Sequence, residues 1–429
     1  MKIMHELKNK FKNKKILIYG YGKSGRTSFN YLKKKNEVFI YDDFKKLKNL
    51  PFITLGNIKN LSFDFILLSP GINIRKCKLK NFLETHNNKI VTDLDIFYNA
   101  YPENLKITIT GTNGKSTTAL LLFKILIAHK KKAKLIGNIG KPMLSINTAS
   151  PGTIFVIEAS SYQIEYSQYF KTDYAIILNI APDHLERHGN IKNYTRAKFK
   201  LITNQDKNSY SYIDINNKHL KKEVSRRNFK SKLTKVKILN FKKIKKNIYN
   251  PYFYNFNNIQ NLSFIFELSK QLKLKNKFIY KSINSFKGLS YRQQIIKKSK
   301  NLTIINDSKS TSFSSSINLL KSYKNIFWIV GGLPKKNDKF KLSKKYFKNI
   351  NCYIYGKDKK FFINNLKGKI KFQIFNTLNQ VIRKLKKDIK KLKKVNIIFS
   401  PSAASFDQFL NFEERGKFFN YLVKNKLLK

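Results

Sequence analysis

Residues 105–132 read LKITITGTNGKSTTALLLFKILIAHKKK, and they decide the fold of this 429-residue chain. LKITIT is an apolar run of strand length, and TALLLFKILIAHKKK is a long apolar helical stretch. Between them stand Gly111, Thr112, Asn113, Gly114, Lys115, Ser116 and Thr117. Successive backbone N–H groups in a glycine-bearing turn at a helix start form a cradle for phosphate oxygens. Lys115 adds a charge for the outer phosphates of a nucleotide, and the Ser116 hydroxyl can ligate Mg²⁺. The spacing departs from the usual phosphate loop, because Ile109 and not a glycine stands two places before Gly111. A bare turn between a strand and a helix is the competing reading.

The same strand–turn–helix pattern recurs on both sides. Upstream, KKILIYG leads into Gly20-Tyr21-Gly22-Lys23-Ser24-Gly25 and then a helical RTSFNYLKKK. The strand EVFIYDD places Asp42 where a nucleotide-binding βαβ unit sets its acid. A further strand, DFILLSPGI, ends in Ser69, Pro70 and Gly71. Downstream, TIFVIEAS carries Glu158, a carboxylate in an apolar strand that is either a ligand or a partnered core acid. YAIILNI is followed by Asp183 and His184, and Lys198 lies in a lysine-rich segment. FNNIQNLSFIFELSKQL reads as an amphipathic helix, and LTIIND, IFWIVGG and NIIFSPS read as strands of a third region. Residues 205–256 give little pattern. The expected architecture is α/β in three domains: a Rossmann-like domain over 1–93, a central P-loop ATPase-like parallel sheet over 94–288, and a second Rossmann-like domain over 289–429.

Lys and Arg number 87 against 25 Asp and Glu, a net charge of +62, which suggests a polyanion partner. The basic runs are scattered, however, and no basic–aromatic module repeats. Around Lys386 the apolar residues Ile382, Leu385, Ile389 and Leu392 form one helix stripe with a solvated basic face. Abundant Lys, Asn, Ile, Phe and Tyr point to compositional drift, so no specific nucleic acid is expected. No run approaches the 18 apolar residues of a membrane span, and the basic start is too short in apolar residues for a signal peptide. Cys77 and Cys352 are the only cysteines, too few for a disulfide framework or a metal cluster. A cytoplasmic monomer is the expectation.

In order along the chain, TGTNGKSTT, GNIGKP, IEASSYQIE, NIAPDHLERHG, YTRAKFK, NNIQN, YRQQ, NDSKSTS, GGLPKK and SPSAASFDQFLNFEERG resemble the Mur ligase family, the ATP-dependent amide ligases of peptidoglycan precursor assembly. The last block, with the glycine-rich first domain, is similar to the branch that adds D-glutamate. The resemblance implies that ATP phosphates are held by Lys115 and the 111–117 loop, with Asn258, Asn261 and Arg292 on the nucleotide side and Asp307 on the ribose. It implies two Mg²⁺ ions, one on Ser116 and Glu158 and one near His184, with Lys198 carbamylated by CO₂ to serve as a metal ligand. Lys115, His184 and Lys198 are the implied catalytic residues.

UDP-N-acetylmuramoyl-L-alanine would be bound through Lys23, Ser24, Asp42, Ser69, Pro70, Gly71 and Asn138. D-Glutamate would lie by Lys335, Thr311, Ser405 and Phe412, with Lys309 facing the reaction centre. Asn257 and Tyr291 depart from the family pattern, which carries a histidine at each, and Glu186 replaces an aspartate. A sibling ligase adding another amino acid shares the ATP parts. A polyanion-binding protein and a non-catalytic relic are the remaining alternatives.

Overall fold

The computed structural model describes residues 9–44, 48–146, 148–335, 338–390 and 392–428. The basic start, residues 1–8, lies outside them. The chain divides into two compact units, Met1–Leu239 with Asn261–Ser282, and Asn240–Gln260 with Ile283–Lys429.

The first unit holds two parallel sheets. In one, β1 (Lys15–Tyr19), β2 (Glu37–Tyr41), β3 (Phe65–Leu68) and β4 (Ile90–Val91) take the order β2-β1-β3-β4. In the other, β5 (Lys106–Thr110), β6 (Ala133–Gly137), β7 (Ile154–Glu158), β8 (Tyr174–Ile177), β9 (Tyr210–Asp214) and β10 (Lys232–Val236) take the order β10-β9-β8-β5-β7-β6. All five residues of β5 are buried, as expected of a parallel strand covered on both faces. In each sheet the chain leaves the first strand to one side and returns on the other. This reversal opens a crevice at the carboxyl ends of β1 and β5, where α/β sheets take ligands.

The helices that position the site are α1 (Lys23–Leu32), α2 (Lys115–Ala128), α3 (Ser161–Tyr166), α4 (Leu185–His188), α5 (Ile191–Thr203), α6 (Phe256–Gln271), α7 (Phe313–Lys321), α8 (Leu378–Ile389) and α9 (Phe412–Leu422). No helix among the described residues is long and apolar enough to cross a membrane.

The second unit holds β11 (Gln294–Lys298), β12 (Leu302–Asn306), β13 (Ile326–Gly331), β14 (Ile350–Tyr355), β15 (Lys371–Ile374) and β16 (Val395–Phe399), in the order β11-β12-β16-β13-β14-β15. All neighbours are parallel except β11, which runs antiparallel to β12. β11 turns back because the link over 299–301 is a tight turn, too short to carry the crossover that a parallel neighbour needs. Trp328 packs between Phe313 and Phe340 in the core, and its Nε1 donates to the Ser400 carbonyl at 2.9 Å. The stripe expected around Lys386 holds for Ile382 and Leu385, which are buried on α8. Leu392 lies beyond the helix end and is 49% exposed, so the stripe stops short.

Gly416 sits on α9 against Tyr291, whose backbone is left-handed at φ 62°. A Cβ at Gly416 would stand 2.4 Å from two ring atoms of Tyr291. Gly416→Ala should therefore destabilise the fold by about 1–3 kcal/mol in urea unfolding. Most of that loss should be recovered in the Gly416→Ala/Tyr291→Ala double variant, and its absence would show that the ring is not the obstacle.

Candidate functional site

The turn from β5 into α2 has the conformation its glycines allow. Gly111 has φ 146° and Gly114 φ 87°, a region that side-chain-bearing residues rarely enter. A Cβ on Gly114 would stand 2.2 Å from Asn261 Oδ1, so this asparagine of α6 packs directly on the loop. Asn179, after β8, locks the other side: its Oδ1 accepts from Asn113 N at 2.9 Å and its carbonyl accepts from Thr112 N at 2.9 Å. Lys115 Nζ folds back over the loop, donating to the carbonyls of Gly111 at 2.9 Å and Thr112 at 2.8 Å.

Below the loop lie two buried oxygens without hydrogen-bond partners, Ser116 Oγ and Glu158 Oε2. An unsatisfied buried hydroxyl and carboxylate are costly, and a hard divalent cation is the group their chemistry suits. Lys198, on α5, is buried beside them, with Nζ donating to Thr110 Oγ1 at 3.3 Å and lying 4.8 Å from the Tyr194 ring centre. Burial first, and then the charge of Lys115, push its ammonium well below the usual lysine range. The carboxylates of Asp183 and Glu158 oppose that shift. Asp183 lies in the turn after β8, where the left-handed His184 (φ 53°) places its Nε2 3.4 Å from the Asp183 carboxylate. Lys115, Ser116, Glu158, Asp183, His184 and Lys198 are thus gathered at the ends of β5, β7 and β8. Asn138 is exposed at the end of β6 and donates its N–H to the Glu158 carbonyl at 3.0 Å. Among the described residues no three His, Cys, Asp or Glu side chains form a metal cluster.

The first sheet gathers its own strand ends. Asp42 Oδ2 accepts from Tyr21 N at 2.7 Å, and Ser69 Oγ donates to the Gly20 carbonyl at 2.6 Å. The glycine turn, Asp42 and the Ser69-Pro70-Gly71 turn therefore form one rim, with Gly71 exposed. Ser24 is less available than the sequence suggests, since its hydroxyl donates to the buried Asp93 at 2.8 Å. Lys23 lines a hollow of about 300 Å³ with Gly22, Arg26 and Thr27. Arg26 was missed from the sequence, where it stands one place past the glycine pattern. A larger cavity of about 590 Å³ lies among Lys10, Tyr169, Lys171 and Asp206, beside the start of β8 and away from all of these turns.

In the second unit the turns after β12, β16 and β13 lie side by side. Leu333 and Ala404 exchange backbone hydrogen bonds at 2.9 Å, which brings the turn carrying Lys335 beside that carrying the buried Ser405. Arg415 ties the three turns together, as its guanidinium donates to the carbonyls of Ser308 at 2.7 Å, Ala403 at 2.9 Å and Gly331 at 3.4 Å. Phe412 opens α9 with two cations over its ring, Lys309 Nζ at 4.0 Å and the Arg292 guanidinium at 5.9 Å. Asn258 donates to the Tyr252 carbonyl at 2.7 Å, and Asn257 accepts from Asn318 at 2.7 Å. Thr311 is half-buried in the 307–312 turn. Asp307 is buried and accepts from Gln293 N at 3.1 Å and Ser400 Oγ at 3.0 Å. Burial outweighs these bonds and nearby arginines, and its carboxyl is pushed up to about 7.

Three α/β sheets, each gathering polar and charged side chains at its strand ends, define an α/β protein built on the plan of a ligand-binding enzyme. A model of the Mur ligase middle domain matches residues 109–269. The chain is 34% identical to a UDP-N-acetylmuramoylalanine–D-glutamate ligase of Rickettsia prowazekii (strain Madrid E), covering 97% of this chain and 99% of the relative. A ligase of the same name from Francisella tularensis subsp. novicida is 32% identical, covering 95% of each. In fold the chain is similar to the MurF ligase of Thermotoga maritima solved with ADP, with a TM-score of 0.58 at 14% identity over 98% of this chain and 97% of that one. The chain belongs to the Mur ligase family.

The Asp307 carboxyl makes a signed prediction. Its folded value lies above the ordinary 3.8, so the stability it lends is complete below pH 4 and is lost as pH rises through 7. Asp307→Asn should therefore be more stable than the parent at pH 8, by up to about 4 kcal/mol, with an advantage that shrinks towards pH 4. Urea unfolding without ligands across that range tests it, and a pH-independent difference would sink it.

Proposed function

We propose that this chain joins D-glutamate to the L-alanine carboxylate of UDP-N-acetylmuramoyl-L-alanine in the cytoplasm, consuming ATP and forming ADP and phosphate. The near-complete overlap with relatives of that name supports the reaction. The observation that carries the site is the gathering of Lys115, the two orphaned oxygens and Lys198 at the ends of β5, β7 and β8.

In the first step a carboxylate oxygen attacks the γ-phosphorus, and the bond to the ADP oxygen breaks. Two anions must approach, so the loop N–H groups and the Lys115 ammonium, released from its own carbonyls, offset their repulsion. Mg²⁺ held by Ser116 and Glu158 would neutralise phosphate charge there, and a second ion near His184 would be held by a carbamate on Lys198. Lys198 suits that modification because burial disfavours its charged form. A neutral Nζ has the lone pair that bonds the carbon of CO₂, and one N–H proton then leaves. The neutral amine of D-glutamate next attacks the carbonyl carbon of the acyl phosphate, phosphate departs with the C–O bonding pair, and the new amide nitrogen loses one proton. A dicarboxylate suits the cation of Lys335 and the hydroxyls of Thr311 and Ser405, with Phe412 beside Lys309. Asn138 and the rim around Ser69 would hold the muramoyl nucleotide.

Phosphate release with ATP, Mg²⁺ and the muramoyl nucleotide should require D-glutamate, and L-glutamate or L-alanine in its place should give none. Turnover with one of those instead would overturn the amino-acid assignment. Lys198→Ala should lose at least about 100-fold in rate. With ¹³C-labelled bicarbonate, the wild-type protein should show a carbamate resonance that Lys198→Arg lacks. A spectrum without that resonance would refute the modification.

A further inference from the structure

Arg187 is a buried cation that nothing above uses. It lies on the short helix α4, three residues after His184, and is 8% exposed. Its guanidinium stacks 3.7 Å from the Tyr162 ring centre, and Nη1 donates to the Pro70 carbonyl at 2.6 Å. The other two nitrogens, Nε and Nη2, are buried with no hydrogen-bond partner. The carboxylates of Glu165 and Glu186 act on it only at longer range.

Leaving two charged donors unmet is costly, and a guanidinium cannot escape the cost by losing its proton. The contact at Pro70 shows where the missing partner belongs. Pro70 lies in the Ser69-Pro70-Gly71 turn, and Ser69 in turn donates to the Gly20 carbonyl of the glycine-rich turn. Both turns sit at the crevice of the first sheet, and α1 starts there with no side chain capping its N–H groups. A second arginine borders the helix that carries Arg187, since Arg75 Nη1 lies 2.8 Å from where a Cβ on Gly189, the residue after α4, would stand. A helix start without a side-chain cap and a guanidinium with two unmet donors suit a doubly charged, multi-oxygen anion.

We propose that Arg187 binds the diphosphate of the uridine nucleotide substrate, reaching from the second sheet of the first unit to the rim of the first sheet. This rests on the ligase reading above. The diphosphate supplies the acceptors that Nε and Nη2 lack, while the bond to Pro70 keeps the turn against the guanidinium. Arg187 is a substrate-binding residue, with no part assigned in either bond-making step.

Titration calorimetry on the full chain at about 0.15 M salt tests it, with UDP, UDP-N-acetylglucosamine, the full muramoyl substrate and ATP as ligands. Arg187→Gln should weaken all three uridine nucleotides by a similar factor, roughly 10–100-fold, and leave ATP within about 2-fold. Arg187→Lys, which keeps the charge without the fork, should fall between and serves if the glutamine variant does not fold. Unchanged affinity for UDP overturns the proposal, and so does a parallel loss for ATP, which marks a merely structural role. Loss confined to the full substrate would assign Arg187 to the alanine carboxylate and overturn the diphosphate assignment. If wild-type protein binds no uridine nucleotide, the ligase reading falls as well. Full wild-type turnover with undiminished affinity in the variant removes this proposal alone.

Discussion

Gly114 holds φ 87° with Asn261 Oδ1 standing 2.2 Å from the place a Cβ would take, while Asn179 grips the backbone of Thr112 and Asn113 from the opposite side. The loop is thereby fixed by strands and helices that are distant in sequence, and the rest of this sheet end depends on its being fixed. Its path sets the start of α2, which sends Ser116 inward beside Glu158 at the end of the neighbouring strand. The same path puts Lys115 close enough to weigh on the Lys198 ammonium. A side chain at position 114 would move the loop, and with it the start of α2 that carries Ser116.

The second unit reaches a similar end by different means. Its three relevant turns follow β12, β16 and β13, adjacent strands whose carboxyl ends must lie together in a parallel sheet. Adjacency alone does not fix loops. Arg415 does so by giving its donors to carbonyls of all three turns, so a fully buried cation is satisfied without a carboxylate. Lys309, Ser405 and the turn leading to Lys335 depend on that one side chain for their spacing.

Much of this was legible in the sequence because strand–glycine turn–helix units announce both the element and the edge where its chemistry gathers. Lys115, Glu158, Asp183 and His184 could be placed at one sheet end from order alone. Lys198 could not, since one lysine among many in a helix carries no signal. Its character comes from burial, which only packing reveals. The strands β9, β10, β14 and β15 were passed over for a related reason. In Lys-rich, Asn-rich segments such as KLTKV and KFQI, polar residues interrupt the apolar run, and pairing with a neighbouring strand supplies what pattern does not. Arg187 and Arg415 were both inside quoted blocks, yet their roles depend on which carbonyls they meet.

The buried cations of this basic chain separate by what each can do about its charge. Lys106 donates to the carbonyls of Pro102 and Asn104, and burial lowers it to about 8. Arg415 finds carbonyls for its fork and becomes a clamp. Lys198 has a single hydroxyl acceptor and a neighbouring ammonium, and an amine in that position can shed its proton and become a nucleophile. Arg187 has neither enough acceptors nor that escape, so two of its donors stay unmet. A net charge of +62 says nothing about these differences, because most of the described lysines and arginines reach solvent. Function in such a chain is written in the few cations that folding removes from water, and in the acceptors that folding provides or withholds.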